Sequence, residues 1–159
     1  MKLTSIEHCL KGVIIGLAVC GVLVYALILP ELGNSLKLQY PEFSHWYYPW
    51  LVFLRLTVIP CYLVLVSALK VVVNIGKGRS FSYENGKCFK RISQYVCADS
   101  VFFLAGNILL WLFGINHPGI VIVSMVIVFL GLSISLASKA LSQLVDDAAG
   151  LQEECDLTI

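Results

Sequence analysis

Charge is what this sequence has least of. Only 13% of its 159 residues are Asp, Glu, Lys or Arg, against about 25% in an ordinary soluble domain. Eleven bases and ten acids are too few to cover a soluble surface of this size, and 58% of the residues are hydrophobic. A net charge of +1 sets up no basic field, so direct nucleic-acid binding is not expected. Catalytic signatures are absent too: the chain has no Gly-rich phosphate loop, no HExxH, no GxSxG and no paired aspartates within its apolar runs, so no enzyme is expected. Cys9, Cys20, Cys61, Cys88, Cys97 and Cys155 form no CxxC and no Cys/His spacing. Neither zinc nor a disulfide framework is expected, and the thiols read as small apolar residues or cytoplasmic thiols. His45 and His117, with Glu42 and Asn116 near them in sequence, read as wet interface residues rather than metal ligands. No cofactor is expected.

What the chain has is apolar runs. Gly12–Leu29 carries no charge, Trp50–Val73 carries Arg55 and Lys70, Tyr95–Phe113 carries Asp99, and Ile120–Leu141 carries Lys139. Each is close to the ~20 residues a spanning helix needs. The first run exceeds a signal-peptide core, lacks a clean cleavage site and has Val19 where a lipobox needs a small residue, so it reads as a retained helix. The fold class is therefore all-α: a polytopic membrane protein built as a four-transmembrane-helix up-down bundle. One domain, 1–159, is expected, with helices about 11–30, 50–73, 83–114 (in the membrane from about 95) and 119–145, then an acidic tail over 146–159.

Lys and Arg in the short loops set the orientation. The segment Asn74–Ile92 holds Lys77, Arg79, Lys87, Lys90 and Arg91; the loop Pro30–Pro49 holds only Lys37, and Gly114–Gly119 holds none. The basic middle loop is expected inside, which places both termini inside. Tyr40, Trp46, Tyr47, Tyr48 and Trp50 suit the outer headgroup region. Ser82 with Glu84 reads as the start of the third helix near Tyr83. Asn116-His117-Pro118-Gly119 reads as a tight outer hairpin, and Pro60 predicts a kink.

Helices in lipid associate where small residues let backbones approach. Gly12 and Gly16, continued by Cys20, mark one such stripe; Ser124, Gly131, Ser135, Ser138 and Ser142 mark another. Each is either a seam within the bundle or a dimer face. The intramembrane charges need partners or a wet cavity. Arg55 and Asp99 differ in depth by ~12–15 Å from the helical rise, so depth matching sets Arg55 against Asn107 and Lys70 against Asp99. Arg55, Tyr62 and Lys70 share a face of the second helix, and this face is expected to meet the Asp99/Gly106/Asn107 side of the third. The tail carries Asp146, Asp147, Glu153, Glu154 and Asp156 without a base. It either docks on the basic loop or stands as a solvated helical extension, while the loop bases suit anionic headgroups.

The phrases Gly76–Asn85 (GKGRSFSYEN), Gly106-Asn107, His117–Ile120 and Leu151–Ile159 (LQEECDLTI) resemble a group of small bacterial membrane proteins known as domain of unknown function 2975. The resemblance covers nearly the whole chain. It implies four helices in the bacterial plasma membrane, no established activity, and frequent neighbourhood with a small helix-turn-helix regulator of Cro/CI type. Three functions follow as alternatives. The first is a regulatory or interaction protein that holds such a regulator through a cytoplasmic face of Lys77, Arg79, Phe81, Ser82, Asn85, Lys87, Lys90, Arg91, Glu153, Glu154 and Asp156. The second is a small transporter or channel-like homo-oligomer using Arg55 and Asp99. The third is a structural subunit of a larger membrane complex.

Overall fold

The computed structural model describes residues 3–39, 41–116 and 118–157. Tyr40 and His117 lie outside the described residues, as do the side chain of Asp156 and the chain's last two residues. Among the described residues the regular structure is entirely helical: α1 (Leu3–Leu23), a π-helical turn (Val24–Ile28), α2 (Leu29–Gln39), a 3-10 turn (Pro41–Trp46), α3 (Tyr47–Leu56), α4 (Val58–Gly76), α5 (Tyr83–Leu112) and α6 (Pro118–Leu157). These give four stretches long and apolar enough to cross a bilayer: Ile6–Gln39, Ser44–Gly76, Tyr83–Leu112 and Pro118–Cys155. The protein is an all-α membrane protein of four spans. The first span packs on the second, the second on the third, and the third on the fourth most extensively of all.

Three departures from the sequence expectation have physical causes. The segment read as a loop, Pro30–Pro49, is largely helical. Pro30 lacks an N–H, yet the chain does not stop there, because the preceding turn widens: the Leu29 N–H reaches back to the Val24 carbonyl, a π-type step. α2 then folds onto α3 through Gly33, whose missing side chain admits the rings of Tyr47 and Trp50. The Tyr47 hydroxyl donates to the Pro30 carbonyl at 3.4 Å, and Lys37 Nζ lies 5.9 Å from the Tyr47 ring centre. The second span is interrupted not at Pro60 but three residues earlier, at Thr57, between α3 and α4. Proline removes the bond to residue i−4 and its ring crowds that carbonyl. Thr57 caps the break by donating to the Leu54 carbonyl at 2.7 Å. Finally, α6 does not end near residue 145. It continues to Leu157, and Val145 and Ala149 are buried.

Both sharp turns end on glycine. Gly78 and Gly114 have φ of +76° and +71°, a region that costs other residues roughly 1–2 kcal/mol. At each, the next amide bonds back across the turn, Arg79 N to Asn74 O at 3.0 Å and Ile115 N to Leu110 O at 2.9 Å. These are Schellman closures, which satisfy carbonyls left over at a helix end.

The α5–α6 seam follows a rule visible in residue numbers. Gly86, Ser93, Ser100 and Asn107 recur every seven residues on α5, and all are buried. Val121, Val128, Ser135, Ser142 and Ala149 do the same on α6 and are also buried. A seven-residue repeat keeps one stripe facing its partner in a left-handed pair. The register is antiparallel: Ser142 Oγ donates to the Gly86 carbonyl at 2.8 Å, and Ser135 Oγ donates to the Ser93 carbonyl at 2.8 Å. Gly131 admits the Ser100 hydroxyl and Gly86 admits the Asp146 carboxylate. A methyl at either glycine would collide.

Candidate intramembrane site and loop face

The break at Thr57 creates the first site. Thr57 Oγ1 has committed its proton to Leu54, so the Tyr25 hydroxyl donates to it at 2.8 Å. One turn on, the Cys61 thiol donates to Asp99 Oδ2 at 3.8 Å. The other carboxyl oxygen, Asp99 Oδ1, is buried without a hydrogen-bond partner. Asp99 lies sixteen residues into α5, about 24 Å from the helix start at ~1.5 Å per residue, near the middle of that helix. A cavity of about 590 Å³ opens beside it, with walls from all four spans, among them Gly21, Thr57, Cys61, Asp99, Val128 and Gly131.

The expected polar seam is not assembled as one face. Arg55 and Lys70 are exposed on the outside of the bundle, with no partner among the described residues. Tyr62 turns to the first span and donates to the Ala18 carbonyl at 2.7 Å, beside Gly21. Asn107 accepts from Asn116 of the hairpin at 3.1 Å rather than meeting Arg55. Asp99 meets Cys61 rather than Lys70. The face of the second span that meets α5 carries Phe53 and Cys61, with the Phe53 ring against Gly106 and stacked on Phe103 at 6.1 Å and the Cys61 thiol on Asp99. Helical angle decides here: four-residue steps lead from Phe53 to Cys61, and those positions exclude Arg55, Tyr62 and Lys70.

The small-residue stripes part company. Ser124 and Ser135 are buried and Ser138 half-buried in or beside the α5–α6 seam, with Gly131 between them. Gly12 and Gly16 have no neighbour within 4 Å of the space a side chain would take, so that stripe is not a seam within the bundle.

The second site is the loop between α4 and α5. Ser82 caps α5, accepting from the Asn85 amide at 3.4 Å. Asn85 is fully buried. Its carbonyl accepts from Asn74 Nδ2 at 2.9 Å, and its amide donates to the carbonyls of Arg79 and Ser80 at 3.0 Å each. Asn85 therefore corrects the expectation of an exposed contact residue: it clamps the loop from within. Outside the clamp, Lys77, Arg79, Phe81, Lys87, Lys90 and Arg91 are exposed. No ion pair joins Arg79, Lys87, Lys90 or Arg91 to a described acid. The helical extension meets α5 rather than the bases: Asp146 lies on Gly86, and Gly150 faces the Tyr83 hydroxyl. Glu153 and Glu154 are exposed beyond that contact. At the same end, Glu7 of α1 packs over Gly76 and pairs with Lys11 at 2.5 Å.

Sequence reasoning missed Tyr25, Thr57 and Cys61 around Asp99, and Asn74 and Asn116 as amide partners. The seven-residue spacing of Gly86, Ser93, Ser100 and Asn107 was the available signal for the α5 stripe. The pairing of Thr57 with Pro60 three residues on was the signal for the break.

These elements define a four-span helical membrane protein with a carboxyl-bearing cavity and a clamped, base-studded loop. The chain belongs to the family described as protein of unknown function (DUF2975), which matches residues 31–159. It is 27% identical over 149 residues to the uncharacterized membrane protein YoaS of Bacillus subtilis (strain 168), with 92% of each chain covered. No solved structure matches.

Proposed function

We propose that this is a non-enzymatic regulatory or interaction protein of the bacterial plasma membrane, with both termini cytoplasmic, that holds a soluble partner on its loop face. A small helix-turn-helix regulator is the partner class the reading favours. The observation that carries it is the clamp at Asn85. Three side-chain hydrogen bonds fix a loop whose outer surface is Phe81 and a set of bases with no ion pair among the described residues. A preformed surface loses little freedom on binding, and unpaired bases suit an acidic partner. The orientation rests on the excess of Lys and Arg in that loop. The test is retention at the membrane, by the tagged full chain, of a helix-turn-helix regulator encoded beside it. Charge reversal at Arg79, Lys87 and Lys90 together should release it with the protein still folded. A regulator that stays soluble beside the wild-type chain sinks the reading.

The cavity favours a second reading, a small transporter or channel-like oligomer. Ion or organic-solute flux in liposomes that Asp99→Asn abolishes supports it; flux indifferent to Asp99 removes it.

A further inference from the structure

We propose that the cavity beside Asp99 binds a lipophilic organic cation, of ammonium or phosphonium type, which enters from the lipid between the first and fourth spans. Nothing in this inference depends on which function above holds, because it concerns binding alone.

The volume, about 590 Å³, lies within the ~300–1,000 Å³ of small-molecule pockets. The walls are mostly apolar, and three of the polar side chains among them are already committed. The Tyr25 hydroxyl is used on Thr57, the Thr57 hydroxyl on Leu54 and the Tyr62 hydroxyl on Ala18. The hydroxyls of Tyr95 and Ser100 line it as well, and its one acid is Asp99, whose Oδ2 accepts from Cys61 and whose Oδ1 is buried without a partner. Burying a carboxylate without a counter-charge is costly, and the chain supplies none there. Arg55 and Lys70 are exposed, six and nine residues from Cys61 along the second span, or roughly 9 and 13 Å by helical rise. A cation from outside the chain answers that demand.

The chemistry narrows the cation. Calcium and magnesium take six or more oxygen ligands or keep their waters; a single carboxyl group in a mostly apolar chamber offers neither. A cation with its charge spread over an apolar body needs a single anion and aromatic neighbours. Tyr25, Tyr62, Tyr95 and Phe103 line the cavity, and aromatic faces attract such cations. The route follows from packing. Leu17 and Val24 of the first span and Ile127 and Gly131 of the fourth all line the cavity, yet these spans make no extensive contact with each other. The ligand reaches Asp99 through lipid, so it must be membrane-soluble.

The experiment is equilibrium binding of radiolabelled tetraphenylphosphonium to the purified full chain in nanodiscs, with tetraphenylborate as a probe of the same shape and opposite charge. Saturable phosphonium binding is expected, with weaker borate binding. Asp99→Asn should weaken phosphonium binding at least about tenfold, the order expected for losing a charge-assisted contact, and leave borate binding unreduced. Asp99→Glu should restore much of it. Leu17→Trp, on the loosely packed wall, should weaken both probes by filling space. Thermal unfolding followed by tryptophan fluorescence checks that each variant is folded. No saturable phosphonium binding, equal binding of the two probes, or an Asp99→Asn variant that binds phosphonium like wild type overturns the proposal.

Discussion

Two parts of this bundle carry small residues in the membrane, and only one of them is packed. In the α5–α6 pair, Gly86, Ser93 and Ser100 meet Ser142, Ser135 and Gly131, and hydroxyls bridge to the opposing backbone. In the first span, Gly12 and Gly16 face nothing. Small residues allow close approach, but they do not cause it. Close packing needs a second stripe in matching register, because lipid is as good an apolar neighbour as another helix. α5 provides that stripe for α6. The second span meets α1 through a long side chain instead, Tyr62 reaching Ala18, and the space left over is the cavity.

That contrast can be broken from the tight side. Gly86→Leu forces a branched side chain into the Asp146 carboxylate and pushes apart the helices that Ser142 joins. We expect the largest loss, roughly 3 kcal/mol or failure to fold, read as the midpoint of thermal or denaturant unfolding. Asn85→Ala removes three hydrogen bonds and leaves the Arg79 and Ser80 carbonyls and the Asn74 amide without this partner. About 2 kcal/mol should be lost, with faster proteolysis between Lys77 and Ser82 as the local signature; unchanged proteolysis would mean that Asn85 is not the clamp. Ser135→Ala deletes two interhelical bonds, to the Ser93 carbonyl and the Ser93 hydroxyl, and should cost about 1.2 kcal/mol at ~0.6 each. Gly12→Leu tests the loose side. It should shift stability of the isolated chain by less than about 0.5 kcal/mol, and a larger loss would reveal a helix seated on that face.

The sequence makes the number of spans legible because hydrocarbon thickness dictates a length that any apolar run displays. The start of α5 is legible from Ser82, since a capping hydroxyl acts within a single turn. The partners of the buried polar residues are much less so. Depth matching treats the helix as a line, whereas partners are chosen by angle around it. A shift of one position separates Cys61, which meets Asp99 of α5, from Tyr62, which turns to the first span. The segment after Pro30 misled for another reason. Proline reports a missing donor, but the widened turn before it moves the bonding pattern and lets the helix go on.

The unbroken length of α6 has a mechanical consequence. Gly131 stands at the cavity wall and Leu157 ends the helix, 26 residues away, which at ~1.5 Å per residue is about 39 Å. Over such an arm, a change in tilt of about 5° at the cavity displaces the acidic end by roughly 3 Å, a side-chain-sized step. Any tilt of the rod that closes the membrane seam would thus be small inside the bilayer and amplified beside the loop.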